Sequence, residues 1–234
     1  MNYADIEYNE ILGSTIHMFA TKYPSIPAAS EKIMESEVPG RDGKLHRRSG
    51  CYSPTEIAVE FNYIGKDYLW NERWRKAKEW LSATNAKLKI GDDTNYFYKI
   101  SHVVIAQNER MSSRVGKFTA VFVTKDGLMY LEDGLYEQEI EQVKYNPGII
   151  SHPEYHIEGE GVCEVVVNGK IMKANVSGNI IINTELMLSY KADKTAQNTV
   201  VSGDYEDLYL QSGENEISVT DGFACKIIPN WRYL

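Results

Sequence analysis

Basic charge, cysteine and long apolar runs are what this 234-residue sequence has little of. Lys plus Arg number 25 against 33 Asp plus Glu, a formal charge of -8. A general nucleic-acid binder needs a net basic face for phosphates, so that class is excluded, although a local basic patch is not. No apolar stretch approaches the length of a membrane helix, and the opening residues carry no basic segment followed by a long apolar core. Neither membrane insertion nor a secretory signal is expected. Cys51, Cys163 and Cys225 are far apart, odd in number and form no C-x-x-C. Buried reduced thiols are the expectation, rather than a disulfide scaffold or a metal site.

Motifs of chemistry are missing too. There is no G-x-S-x-G, H-E-x-x-H, P-loop or dinucleotide fingerprint. Gly159-Glu160-Gly161 has no helix behind it to receive an anion. His152, Glu154 and His156 sit at the two-residue period of one strand face, which would suit a metal, but Pro153 interrupts them and no fourth ligand follows. They read as polar residues on a domain linker. Glu139 with Glu141, and Glu206 with Asp207, read as solvated acidic surface, because nothing sets them across a cleft as a glycosidase pair requires. His17 and His102 lack a nearby nucleophile. The expectation is no enzyme, no metal and no cofactor.

What is present is β structure. Seventeen glycines and 16 tyrosines favour strands and turns. Residues 1–36 begin irregularly. Ile57, Val59, Phe61 and Tyr63 alternate with Ala58, Glu60 and Asn62, a half-buried strand ended by Gly65. Trp70, Trp74, Ala77 and Leu81 form one helical stripe, with Trp80 beside it, and predict a helix over 68–84 capped by Asp67 or Asn71. These indoles read as core rather than as a ligand platform. Strands are predicted over 87–90, 96–106 and 117–123, with reversals at Gly91-Asp92-Asp93 and Asp126-Gly127. No long helical pattern follows Tyr145-Asn146-Pro147-Gly148, so domains are expected at 1–144 and 145–234. Asn168-Gly169 signals a hairpin between 164–167 and 170–176. Ser177-Gly178-Asn179 reads as the next reversal, and Ser212-Gly213 and Asp221-Gly222 divide the remaining short strands. The fold class is mainly β. An N-terminal β-sandwich-like domain carries one helix and a projecting hairpin, and a jelly-roll β-sandwich follows.

The strongest loop signal is Val38-Pro39-Gly40-Arg41-Asp42-Gly43, a type II turn followed by a second tight reversal. Lys44, His46, Arg47 and Arg48 follow at once. The segment is a candidate interface through Pro39, Gly40, Arg41, Asp42, Gly43, Arg47 and Arg48. A protein contact, a solvated loop and a nucleic-acid contact all remain open for it. The tail from Pro229 to Leu234 reads as a final strand end tied down by Trp231. A partner-binding tail is the alternative.

The P-G-R-D-G loop, Tyr52 and the alternating strand through Phe61 resemble the N-terminal region of siphophage distal tail proteins. The Trp70/Trp74 helix occupies a comparable place. Asn146-Pro147-Gly148, Ser151, Pro153, Gly159-x-Gly161, Asn168-Gly169 and Ser212-Gly213-x-Asn215 resemble that family's C-terminal β-sandwich. The resemblance spans nearly the whole chain. It implies a galectin-like second domain and a structural hub at the distal tip of the virion tail, assembled in the host cytoplasm. It further implies a homo-oligomer, a hexameric ring built by the N-terminal domain. Implied partners are the tail tube protein, the tail-associated hub protein and receptor-binding or baseplate proteins. Pro39 to Arg48 would then lie in a ring-forming or tube-facing hairpin. Residues 1–144 hold 19 basic and 21 acidic side chains, against 6 and 12 in 145–234. The excess acid therefore sits mostly in the domain expected outside the ring, so a DNA-repelling acidic channel does not follow from the total charge. A carbohydrate-binding β-sandwich adhesin, using Tyr205, Tyr209 or Trp231, is the alternative function.

Overall fold

The computed structural model describes residues 5–64, 70–91, 93–112 and 114–234. Gly65, Asp67, Tyr68 and Asp92, named above as strand end, cap, helix start and turn, lie outside the described residues. The chain forms two compact units, residues up to Met129 with Leu234, and Tyr130–Tyr233. The division falls inside a strand, and the boundary expected at 144/145 lies within the second unit.

The first unit contains β1 (Ile6–Tyr8), β2 (Ile11–Leu12), β3 (Met18–Ala20), β4 (Ser30–Glu37), β5 (Lys44–Ser53) and β6 (Glu56–Ile64). The helix α1 (Trp70–Leu81) follows, then β7 (Ala86–Ile90), β8 (Tyr96–Ile105), β9 (Glu109–Arg110) and β10 (Val115–Leu131). The main sheet runs β2-β1-β7-β8-β10-β6-β3. From Ile6 onward the chain is thus regular where irregularity was expected: Ile6 and Tyr8 are fully buried, and β1 pairs with β7. Its strands are too short for periodicity to reveal.

Alternation in β6 delivers Ile57, Val59, Phe61 and Tyr63 to one buried face. β10 pairs with it from Val115↔Ile64 to Val123↔Glu56, adding Phe118, Ala120 and Phe122 to the same core. The helix lays its apolar stripe over this face. Trp80 is the deepest indole, 5% exposed, where Trp70 and Trp74 are half-buried. It stands edge-on to Tyr8 and Phe61, at ring distances of 6.3 and 5.6 Å. Its indole N–H donates to the Tyr8 carbonyl at 3.0 Å, so this bulky polar-tipped side chain is buried without an unmet donor.

Asp126-Gly127 is a correction. It does not reverse the chain, because β10 continues to Leu131. Gly127 takes φ +73°, and the Asp126 carboxylate accepts the Leu128 N–H at 3.1 Å. The strand runs on through this left-handed glycine, so the local turn chemistry does not yield a hairpin.

The second unit holds β11 (Gln138–Glu139), β12 (Val143–Asn146), β13 (Glu154–Val167), β14 (Lys170–Asn183) and β15 (Leu188–Tyr190). It continues with β16 (Val201–Ser202), β17 (Gly213–Val219), β18 (Ala224–Ile228) and β19 (Arg232–Tyr233). β13 and β14 form a long hairpin around Asn168 and Gly169, both at positive φ, as the Asn-Gly signal predicts. The expected reversal at Ser177-Gly178-Asn179 is absent. Gly178 instead faces Gly159 across the ladder, both at positive φ, and the two strands pass through the irregularity together.

Buried asparagines hold the loops of this unit. Asn146 donates to the carbonyls of Ile149 and Leu210 and accepts the Gly148 N–H. Asn215 accepts from Gln211 N–H and from the Asn168 amide, at 2.7 and 2.9 Å. A Cβ on Gly148 would lie 2.0 Å from the Arg232 carbonyl oxygen, so only glycine allows that strand to close on the loop. The motifs Asn146-Pro147-Gly148, Asn168-Gly169 and Gly213-x-Asn215 therefore serve loop closure.

Candidate functional site

β4 and β5 make a two-stranded sheet of their own. An isolated hairpin of two strands is marginal in water unless something else covers it. Here nearly every residue from Ser30 to Gly50 is exposed. The tip is built as its sequence dictates. Arg41 N–H donates to the Val38 carbonyl at 3.2 Å, Pro39 supplies a fixed φ, and Gly40 takes φ +81°. Gly43 follows at φ +78°. An open concavity of about 640 Å³ lies at the tip, lined by Glu37, Val38, Pro39, Arg41, Gly43 and Lys44.

The register separates the hairpin's two faces. Ile33↔Arg48, Glu35↔His46 and Glu37↔Lys44 point one way; Met34↔Arg47 and Ser36↔Leu45 point the other. The first face neutralises itself. Glu35 lies 2.8 Å from Lys44 and 3.7 Å from His46, and Arg48 lies 3.7 Å from Glu31. The second face does not. Met34 and Leu45 are 61% and 47% exposed, and Arg47 has no acidic partner among the described residues. Arg41 at the tip has none either. Exposed apolar groups beside unpaired cations, on strands with free edges, form a surface suited to another protein. Of the seven sequence candidates, Arg47 is on this open face and Arg48 is on the neutralised one. Pro39, Gly40 and Gly43 shape the tip. Met34 and Leu45 were missed, because two apolar residues in a charged stretch have no signal until the register pairs them.

The other candidates disperse. His152 is not on a free linker: it stacks on Tyr209 at 4.0 Å and meets the buried Arg232 guanidinium at 2.9 Å. His156 and Glu154 lie on β13, and among the described residues no group of three or more His, Cys, Asp or Glu side chains is arranged to hold a metal. Trp231 is 4% exposed in the second core, so it offers no sugar platform, and Tyr209 is covered on one face by His152. Tyr205 hydrogen-bonds Ser189 at 2.9 Å. Cys163 is buried, Cys225 is half-buried and Cys51 is exposed on β5, which corrects the expectation of three buried thiols.

No protein-family model matches the chain, and no curated protein matches it in sequence. A solved structure does match in fold. That structure is of Dit (gp 19.1) from phage SPP1, reported as a paradigm of the hub adsorption apparatus in phages infecting Gram-positive bacteria. The two superpose with a TM-score of 0.75 over 99% of this chain and 99% of that one, at 13% identity. The chain thus has the fold of the SPP1 Dit protein over 99% of its length.

Proposed function

We propose that this protein is a structural component of a phage tail, a distal tail protein whose ring joins the tail tube to the tail tip. The observation that carries the reading is the end-to-end likeness to SPP1 Dit, which leaves neither unit of the chain unmatched. The first unit builds the ring. The second unit, a galectin-like β-sandwich, faces outward and holds receptor-binding or baseplate proteins. The tail tube protein binds one ring face and the tail-associated hub protein the other, at the distal tip of a virion assembled in the host cytoplasm. The role is architectural, with no substrate turned over.

The β4–β5 hairpin supports the ring. A closed ring needs a heterologous contact, in which one patch meets a different patch on the next copy. Met34, Leu45, Arg41 and Arg47 supply one such patch. Light scattering tests the reading: six chains of 26.6 kDa give about 160 kDa. A strict monomer at high concentration, also with the tail tube protein present, overturns it.

A further inference from the structure

One cross-strand row of the second unit concentrates charge. Register places Glu139 of β11, Lys226 of β18, His156 of β13, Ile181 of β14 and Tyr190 of β15 side by side on one face. Glu137, just before β11, reaches into this row. Its carboxylate puts one oxygen 2.7 Å from His156 Nδ1 and the other 3.7 Å from Lys226 Nζ. Glu154, two residues from His156 on the same strand face, places an oxygen 3.6 Å from His156 Nε2. Glu158 lies two residues away on the other side of that face, and Ile181 and Tyr190 add no fixed charge to it.

Both imidazole nitrogens therefore face carboxylate oxygens. Only the imidazolium has a proton on each nitrogen. A neutral ring must present a lone pair to one carboxylate, and the buried Nε2 makes no hydrogen bond, with the Glu154 carboxylate facing it at 3.6 Å. What Glu137 tethers is weak by itself. β11 is two residues long and holds β18 through Gln138↔Ile227 and Glu139↔Lys226 alone. Behind it Ile140 rests against the second core.

We propose that His156 is a protonation-governed clamp that keeps β11 on the edge of the second sheet and lets it open as the ring loses its proton. The opening frees the edge of β18, a row of backbone groups able to pair with another strand. The sign follows from linkage. The two glutamates raise the His156 pKa above 6.5, against the opposing effect of burial. The charge-assisted clamp is complete at low pH and weakens as pH rises through the folded-state value, because a neutral ring with its proton on Nδ1 gives Glu137 only an uncharged donor.

Amide hydrogen exchange of residues 138–140 in the full chain, corrected for intrinsic rates, tests this between pH 5.5 and 9. NMR titration of the imidazole supplies the pKa. Opening is expected to increase roughly tenfold for each unit by which the His156 pKa exceeds its value with the segment open. His156→Gln should remove the pH step and leave residues 138–140 weakly protected throughout. Glu137→Gln, at a half-exposed position that does not threaten folding, should lower the His156 pKa and reduce protection at pH 6. Unchanged protection across the His156 titration overturns the proposal, as does a His156 pKa at or below 6.5.

Discussion

Replacing Trp80 should destabilise the first unit more than any other change in α1. The indole is 5% exposed, meets Tyr8 and Phe61 edge-on, and donates to the Tyr8 carbonyl at 3.0 Å. Trp80→Ala removes the packing and leaves a cavity, a cost of about 4 kcal/mol. Trp80→Phe keeps most of the volume and loses the N–H donor, a cost of about 1–2 kcal/mol. Trp74 is half-buried against Phe118, with Lys78 over its outer ring, so Trp74→Ala should cost about 2 kcal/mol. For a unit of this size each kcal/mol lowers the midpoint by roughly 3–5 °C. Calorimetry should then show the transition of the first unit falling by roughly 12–20 °C in Trp80→Ala, with the transition of the second unit in place as an internal reference. A Trp80→Ala midpoint near the wild-type value refutes the packing argument. So does a larger cost for Trp74→Ala than for Trp80→Ala.

Gly116→Ala should cost about 1–3 kcal/mol in thermal melts, because the new Cβ would sit 2.2 Å from the Tyr63 ring and push its hydroxyl off Asn108. Leu45→Asp with Arg47→Glu should abolish ring formation in light scattering while leaving monomer stability within about 0.5 kcal/mol, since both side chains are exposed and make no intrachain contact that folding needs. Glu60, held by Lys117 and Lys22, has its carboxyl pKa lowered below 4.5, so its pairing favours the fold above that value and is lost as pH falls through the lower one. Glu60→Gln should therefore flatten the acid limb of a stability-versus-pH curve. Iodoacetamide at pH 8 should modify Cys51 and spare Cys225, whose thiol is pushed up to about 12 by burial; mass spectrometry of the labelled peptides reads the difference.

Where local rules act alone, the sequence was legible. The alternation of Ile57, Val59, Phe61 and Tyr63, the helical stripe through Leu81, the Pro39-Gly40 turn and the Asn168-Gly169 hairpin all follow from neighbours in the chain. The same Gly-containing signals failed at Asp126-Gly127 and at Gly178. There the flanking strands pair with distant partners, and tertiary pairing overrides the reversal. The indoles were legible as core, but not that Trp80, beside the stripe, is the deepest of them, because a helical projection ranks side chains by angle whereas depth is set by the sheet beneath.

The candidate site divides in the same way. Composition, turn chemistry and the P-G-R-D-G segment by themselves determined a β-rich chain with a cationic reversal near Arg41. Which face of the hairpin stays open was decided by the register alone, since the pairing of β4 with β5 spends Lys44, His46 and Arg48 on glutamates and leaves Arg47 beside Met34 and Leu45. The convergence of Glu137, Glu154 and Lys226 on His156 was likewise beyond one-dimensional reading. Those side chains come from three segments of the chain, and a charge cluster exists only once the sheet has brought its strands about 5 Å apart.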